Sequence, residues 1–167
     1  MPPSDTTPTA AIIGSFRQFY KDILNARQTI IDGRIAVTSP LGAPIIEQGI
    51  PFVRFQTDEK DLTDAEIQTL ALHRILRADF VYAVTPSGYV GRTTCYEIGR
   101  IIQAGKPIYF SEAPADLPLR IKPGHIVTPS QLVDLVERKE IQSPYLSGKS
   151  THDEWEYRLL SGEYLSI

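Results

Sequence analysis

Two short segments of the 167-residue chain hold residue types at spacings that suit chemistry. The first is Gly14-Ser15-Phe16-Arg17. Gly14 lets the backbone turn and approach a ligand, and Ser15 offers a hydroxyl at the start of a helix whose N–H groups favour an anion. Arg17 adds a forked cationic donor that suits phosphate or carboxylate. The same residues also read as a helix cap beside a solvated arginine. The second segment runs from Ser87 through Gly88, Tyr89, Val90, Gly91, Arg92, Thr93, Thr94, Cys95 and Tyr96 to Glu97. Its glycines give a loop able to lie against a sugar or base, and Tyr89 offers a stacking ring. Glu97 offers a carboxylate in the first turn of the helix that follows, placed to act as a nucleophile or to face an oxocarbenium-like centre. Thr94-x-x-Glu97 equally spells a capping box.

The remaining reactive side chains form no pattern. His73 sits alone on a helix, and His125 and His152 have no partner spacing. Cys95 is the chain's one cysteine, so an internal disulfide is impossible and no zinc spacing exists. It reads as a small packed residue.

These segments need elements to position them. Residues 1–9 read as a disordered lead-in. Ala10 to Ile13 is a short apolar run that ends at Gly14, as in a buried strand entering a tight turn. Phe16, Phe19, Tyr20, Ile23, Leu24, Ile30 and Ile31 recur at helical spacing, with a stop at Gly33. A second strand is predicted over Arg34 to Thr38. The irregular stretch after it, residues 39–61, is long enough for a lid or binding loop. Thr63 and Glu66 fit a capping box that starts a helix to Arg77, with Ile67, Leu70, Ala71 and Ile75 near one face.

Asp79 to Val84 reads as a third strand, the helix from Thr94 ends at Gly105, and Pro107 to Phe110 makes a fourth strand. His125 to Val127 is a candidate fifth. Thr128-Pro129 caps a last sizeable helix over Gln131 to Lys139. Residues 142–150 turn loop-like, and the aromatic tail to Ile167 reads as partly helical. The alternation of strands and helices therefore predicts an α/β fold with four or five parallel strands covered by helices on both faces. The domain is expected over residues 10–141, with residues 142–167 as a loop and short helical tail. In such sheets ligands bind beyond the carboxyl ends of the strands, where both reactive segments fall.

Composition narrows the function classes. The formal net charge is −3 and no basic block stands out, which argues against a nucleic acid polymer as partner. No apolar stretch approaches the ~20 residues of a membrane span. The first residues lack the basic start and apolar run of a signal peptide. The expectation is a cytoplasmic protein without a membrane partner.

In combination, IIGSFR near the start, RADFVYAV on the third strand, GYVGRTTCYEIGR after it and AGKPIY on the fourth resemble the nucleoside 2-deoxyribosyltransferase-like superfamily. That group includes the 2′-deoxynucleoside 5′-monophosphate N-glycosidases. The similarity spans Ala10 to Phe110 and rests on the order and spacing of the motifs together.

The resemblance implies N-glycosidic bond cleavage or base exchange on a nucleoside or nucleoside 5′-monophosphate. Neither a metal nor a cofactor is implied. Glu97 maps to the nucleophile, and Gly14, Ser15 and Arg17 map to the residues that bind the 5′-phosphate region. Phe16, Ser87, Gly88, Tyr89, Gly91 and Arg92 complete the expected substrate contacts. A Rossmann-like α/β sandwich and a homodimer or larger assembly are also implied.

The loop before Glu97 departs from the family pattern, with GYVG inserted and Arg92 near the place of the base- or phosphate-contacting residue, and so do two single positions. Ala71 stands where an aspartate of the catalytic site is usual, and Ala11 where the nucleotide-cleaving members carry a tyrosine. Asp79, at the wrong end of its strand, reads as structural. The alternative function is a nucleotide-binding or sensing module that kept the pocket without the chemistry.

Overall fold

The computed structural model describes residues 7–41, 54, 60–144 and 150–166. Four strands form one parallel sheet: β1 (Thr9–Gly14), β2 (Ala36–Ser39), β3 (Phe80–Val84) and β4 (Ile108–Phe110), in the order β2-β1-β3-β4. Five helices surround it: α1 (Phe16–Asp32), α2 (Asp64–Arg77), α3 (Arg92–Gln103), α4 (Pro129–Glu137) and α5 (Thr151–Leu160). This is the helix-covered parallel sheet that the apolar pattern predicts, an α/β Rossmann-like sandwich.

A parallel sheet needs cover on both faces, and the strand sequences supply it. Ala11, Ile13, Val81 and Ala83 point to one face, where Ile75 of α2 and Ile98, Ile101 and Ile102 of α3 cover them. Ala10, Ile12, Phe80, Tyr82 and Val84 point to the other, against Ile23, Ala26 and Ile30 of α1 and Leu132 of α4. The chain goes from β1 outward to β2, then crosses back past β1 to β3. The order therefore reverses beside β1, and a crevice opens at the strands' carboxyl ends. Gly14 lies level with Val84 there. A Cβ on Gly14 would stand 2.8 Å from the Val84 carbonyl oxygen, so only glycine lets the two strand ends close up.

Several boundaries differ from the sequence expectation. β1 begins at Thr9, inside the expected lead-in, because Thr9 is pinned to Asp79. Its N–H and hydroxyl donate to the Asp79 carboxylate at 2.8 and 2.7 Å, and its carbonyl accepts the Asp79 N–H at 3.0 Å. Asp79 is thus a staple at the end of the sheet remote from the crevice. β2 starts two residues late, since Arg34 (φ 60°) still belongs to the turn after α1.

The fifth strand is absent among the described residues: Ile126 makes one isolated bridge to Phe110, and His125 lies in a 3-10 turn. The helix cap at Thr128 follows too soon for a longer ladder. α4 starts at Pro129 rather than Gln131, with Thr128 closing a capping box on Gln131. Of the stretch 39–61 expected as a lid or binding loop, Ser39–Leu41, Arg54, Lys60 and Asp61 are described. The rest lies outside the described residues, as do residues 1–6 and 145–149.

Among the described residues no helix is long and apolar enough to cross a membrane. His125 is buried, stacks on Tyr109 at 4.7 Å and shares a 3.0 Å hydrogen bond with the Ile108 carbonyl. Burial pushes its pKa below the usual value. A neutral, packed histidine of this kind is a structural residue. His73 is exposed.

Candidate functional site

A cavity of about 700 Å³ lies at the carboxyl end of β1, enclosed by the starts of α1 and α3 and by one face of α2. That volume is within the range of small-molecule pockets, roughly 300–1,000 Å³. Its walls bring together Gly14, Ser15, Phe16, Arg17, Tyr89, Gly91, Arg92 and Glu97, which the sequence nominates from two segments far apart in the chain.

The starts of α1 and α3 meet here. Ser15 is the N-cap of α1 and Gly91 the N-cap of α3. A Cβ built on Gly91 would lie 3.9 Å from the Ser15 Cβ and Oγ. Neither cap makes a side-chain hydrogen bond, and neither first turn holds an acidic residue. Two helix N-termini thus bring their partial positive charge to one wall, flanked by Arg17 and Arg92. Tyr89 lies beside them with its ring edge-on to Phe19, centroids 5.7 Å apart.

Ser87 and Gly88 do not line the cavity, contrary to the expected contacts. Ser87 is exposed, with φ 55°, and its N–H donates to the Glu112 carboxylate at 3.0 Å. Gly88 (φ 74°) is pressed against the loop after β4, where a Cβ would meet the Ala113 carbonyl oxygen at 2.8 Å. Both residues shape the tight turn that delivers Tyr89 to Arg92 to the cavity.

The setting of Glu97 also departs from expectation. α3 starts at Arg92, not Thr94, so Thr94-x-x-Glu97 is no capping box and Glu97 occupies the second turn. The helix terminus therefore does not cap its carboxylate. The side chain is 8% exposed and borders the cavity. Burial pushes its pKa up to about 7, against the smaller opposing effect of a hydrogen bond from Gln68. That bond runs from Gln68 Nε2 to Glu97 Oε1 at 3.1 Å. Cys95, next to Glu97, is half-buried and packs against the core on the α3 side of the sheet.

Sequence reasoning missed the contribution of α2. Ile67, Gln68, Ala71, Arg74 and Ile75 all line the cavity, spaced as one helical face. Leu70, expected near one face with Ile67, Ala71 and Ile75, is 42% exposed, and Leu72 is buried. The available signal was the i, i+3, i+6 run of Gln68, Ala71 and Arg74. Arg74 is half-buried. No ion pair engages Arg17, Arg74 or Arg92 among the described residues. Three guanidiniums thus share the cavity with one carboxylate, although the chain as a whole is net negative.

Thr94, 2% exposed, borders the same space. Among the described residues no group of three or more His, Cys, Asp or Glu side chains gathers as a metal site. The arrangement offers an anion seat, an aromatic side wall and a buried carboxyl group. Compared with known protein families, curated proteins and solved structures, the chain matches none.

Proposed function

We propose that this protein binds a nucleoside 5′-monophosphate, or a nucleoside, and cleaves or exchanges its N-glycosidic bond through Glu97. The observation that carries the reading is the meeting of both nominated segments in one cavity, with an anion seat beside a buried carboxyl group. The phosphate sits at the starts of α1 and α3, held by Arg17 and Arg92, and the base lies along Tyr89. Arg74 adds a third cation on the α2 wall.

In the chemical step a Glu97 carboxylate oxygen bonds to C1′ as the C1′–N bond breaks. The bonding pair leaves with the base, which takes a proton from water. A second water, or another base, then attacks C1′. The ester bond breaks, Glu97 returns as carboxylate and a proton passes to solvent. Only ionised Glu97 is a nucleophile, so activity rises as pH passes through about 7. Release of free base from a panel of nucleosides and 5′-monophosphates tests the reading.

A second reading is favoured by Ala71, which places a methyl group on the cavity wall where the resemblance implies an aspartate. On this reading the pocket binds and senses nucleotides, and Glu97 hydrogen-bonds the ligand without attacking it. Binding without base release distinguishes it.

We also infer a homodimer or larger assembly in the cytoplasm. Trp155, Tyr157 and Leu159 on α5, Tyr164 after it and Tyr96 of α3 all stay about half exposed or more. Exposed aromatic side chains of this kind suit burial against a second copy of the chain.

A further inference from the structure

Gln68 has no role in the reaction sequence above, yet it is the one side chain that hydrogen-bonds Glu97 among the described residues. It stands on α2, and Glu97 stands on α3, which packs beside α2 on the same face of the sheet. A glutamate with three rotatable bonds loses much of its freedom when one oxygen is tied across a helix pair. The bond also meets a need of the carboxylate itself. At 8% exposure Glu97 has little water to replace a missing donor. Ala71, one turn along α2 from Gln68, brings no polar atom of its side chain to the cavity.

We propose that Gln68 is the positioning residue of this site: its amide fixes Oε1 of Glu97 so that Oε2 is the oxygen presented to C1′. This rests on the reading of Glu97 as nucleophile. The charged groups that share the cavity are Arg17 from α1, Arg74 from α2 and Arg92 from α3, with no second carboxylate among the described lining residues. Gln68 is thus a neutral donor that steadies the ionised form without forming a salt bridge, and it leaves the three cations available to the substrate.

The test uses Gln68→Met, which keeps length and helix propensity but removes the donor, and Gln68→Ala as a second variant. The Glu97 carboxyl is titrated by carbon-detected NMR in the ligand-free full chain. Losing a hydrogen bond to the charged form should move its midpoint upward by about one pH unit in both variants. At a pH well above that midpoint, kcat for base release should fall at least about tenfold with KM little changed, since alignment and not binding is lost.

An unmoved midpoint in both variants, or an undiminished high-pH kcat, overturns the proposal. Base release by Glu97→Gln at the parent rate overturns the underlying reading instead. The two failures are therefore distinct.

Discussion

At the scale of single residues, burial sets the chemistry of Glu97. Its pKa in the fold, about 7, stands above the ordinary 4.5. The neutral form is therefore favoured by folding. The resulting stabilisation is complete below about pH 4.5 and is lost as pH rises through about 7. Chemical denaturation at pH 5 and pH 8 checks this: relative to the parent, Glu97→Gln should gain on the order of 2–3 kcal/mol at the higher pH. An equal difference at both pH values would contradict it.

Arg17 carries the phosphate prediction. Arg17→Ala should weaken 5′-monophosphate binding about 10- to 100-fold and leave unphosphorylated nucleosides nearly unaffected, read by calorimetry. The pairing of Gly14–Arg17 with Glu97 was legible in the sequence because both segments follow the carboxyl end of a strand. The burial of Glu97 was not, since it depends on α2, which lies far away in sequence.

At the scale of elements, the strands were the most legible parts. AAII and FVYAV bury both faces, and the turn at Gly14 follows from the closeness of Val84. The start of α3 was misread because Thr94-x-x-Glu97 imitates a capping box, while the actual N-cap, Gly91, has no side chain to signal it. Ser87 and Gly88 were misread for a related reason: a glycine that serves a packed turn looks the same in sequence as one that serves a ligand.

A genuine capping box lies at Thr63–Glu66, where Thr63 and Glu66 bond reciprocally. It anchors the helix that carries Gln68 and Arg74. Thr63→Ala should cost ~1 kcal/mol in a denaturant melt. It should also weaken nucleotide binding by a smaller factor than Arg17→Ala, since it loosens the α2 wall without removing a contact.

At the scale of the whole molecule, strand order places the site. The reversal beside β1 opens the crevice, and the starts of α1 and α3 close it from either side. The sequence implied this layout through its alternation of strands and helices. It did not reveal that α2 forms the third wall, because Leu70 and Ala71 sit near the same side of a helical wheel and only packing separates them. The exposed aromatic residues of α3, α5 and the tail lead to an assembly prediction. Sedimentation at micromolar concentration should show a dimer or larger, and Trp155→Glu should shift it toward monomer. A monomeric parent would refute this.

The central claim is that Glu97 attacks C1′. Base release at pH 8, where the parent carboxyl is mostly ionised, compared between the parent and Glu97→Gln, tests it most directly. The account predicts release by the parent and a loss of about 10³-fold or more in the variant, with 5′-monophosphate binding retained in both. Equal rates in the two proteins, or nucleotide binding by both without any release, would contradict it.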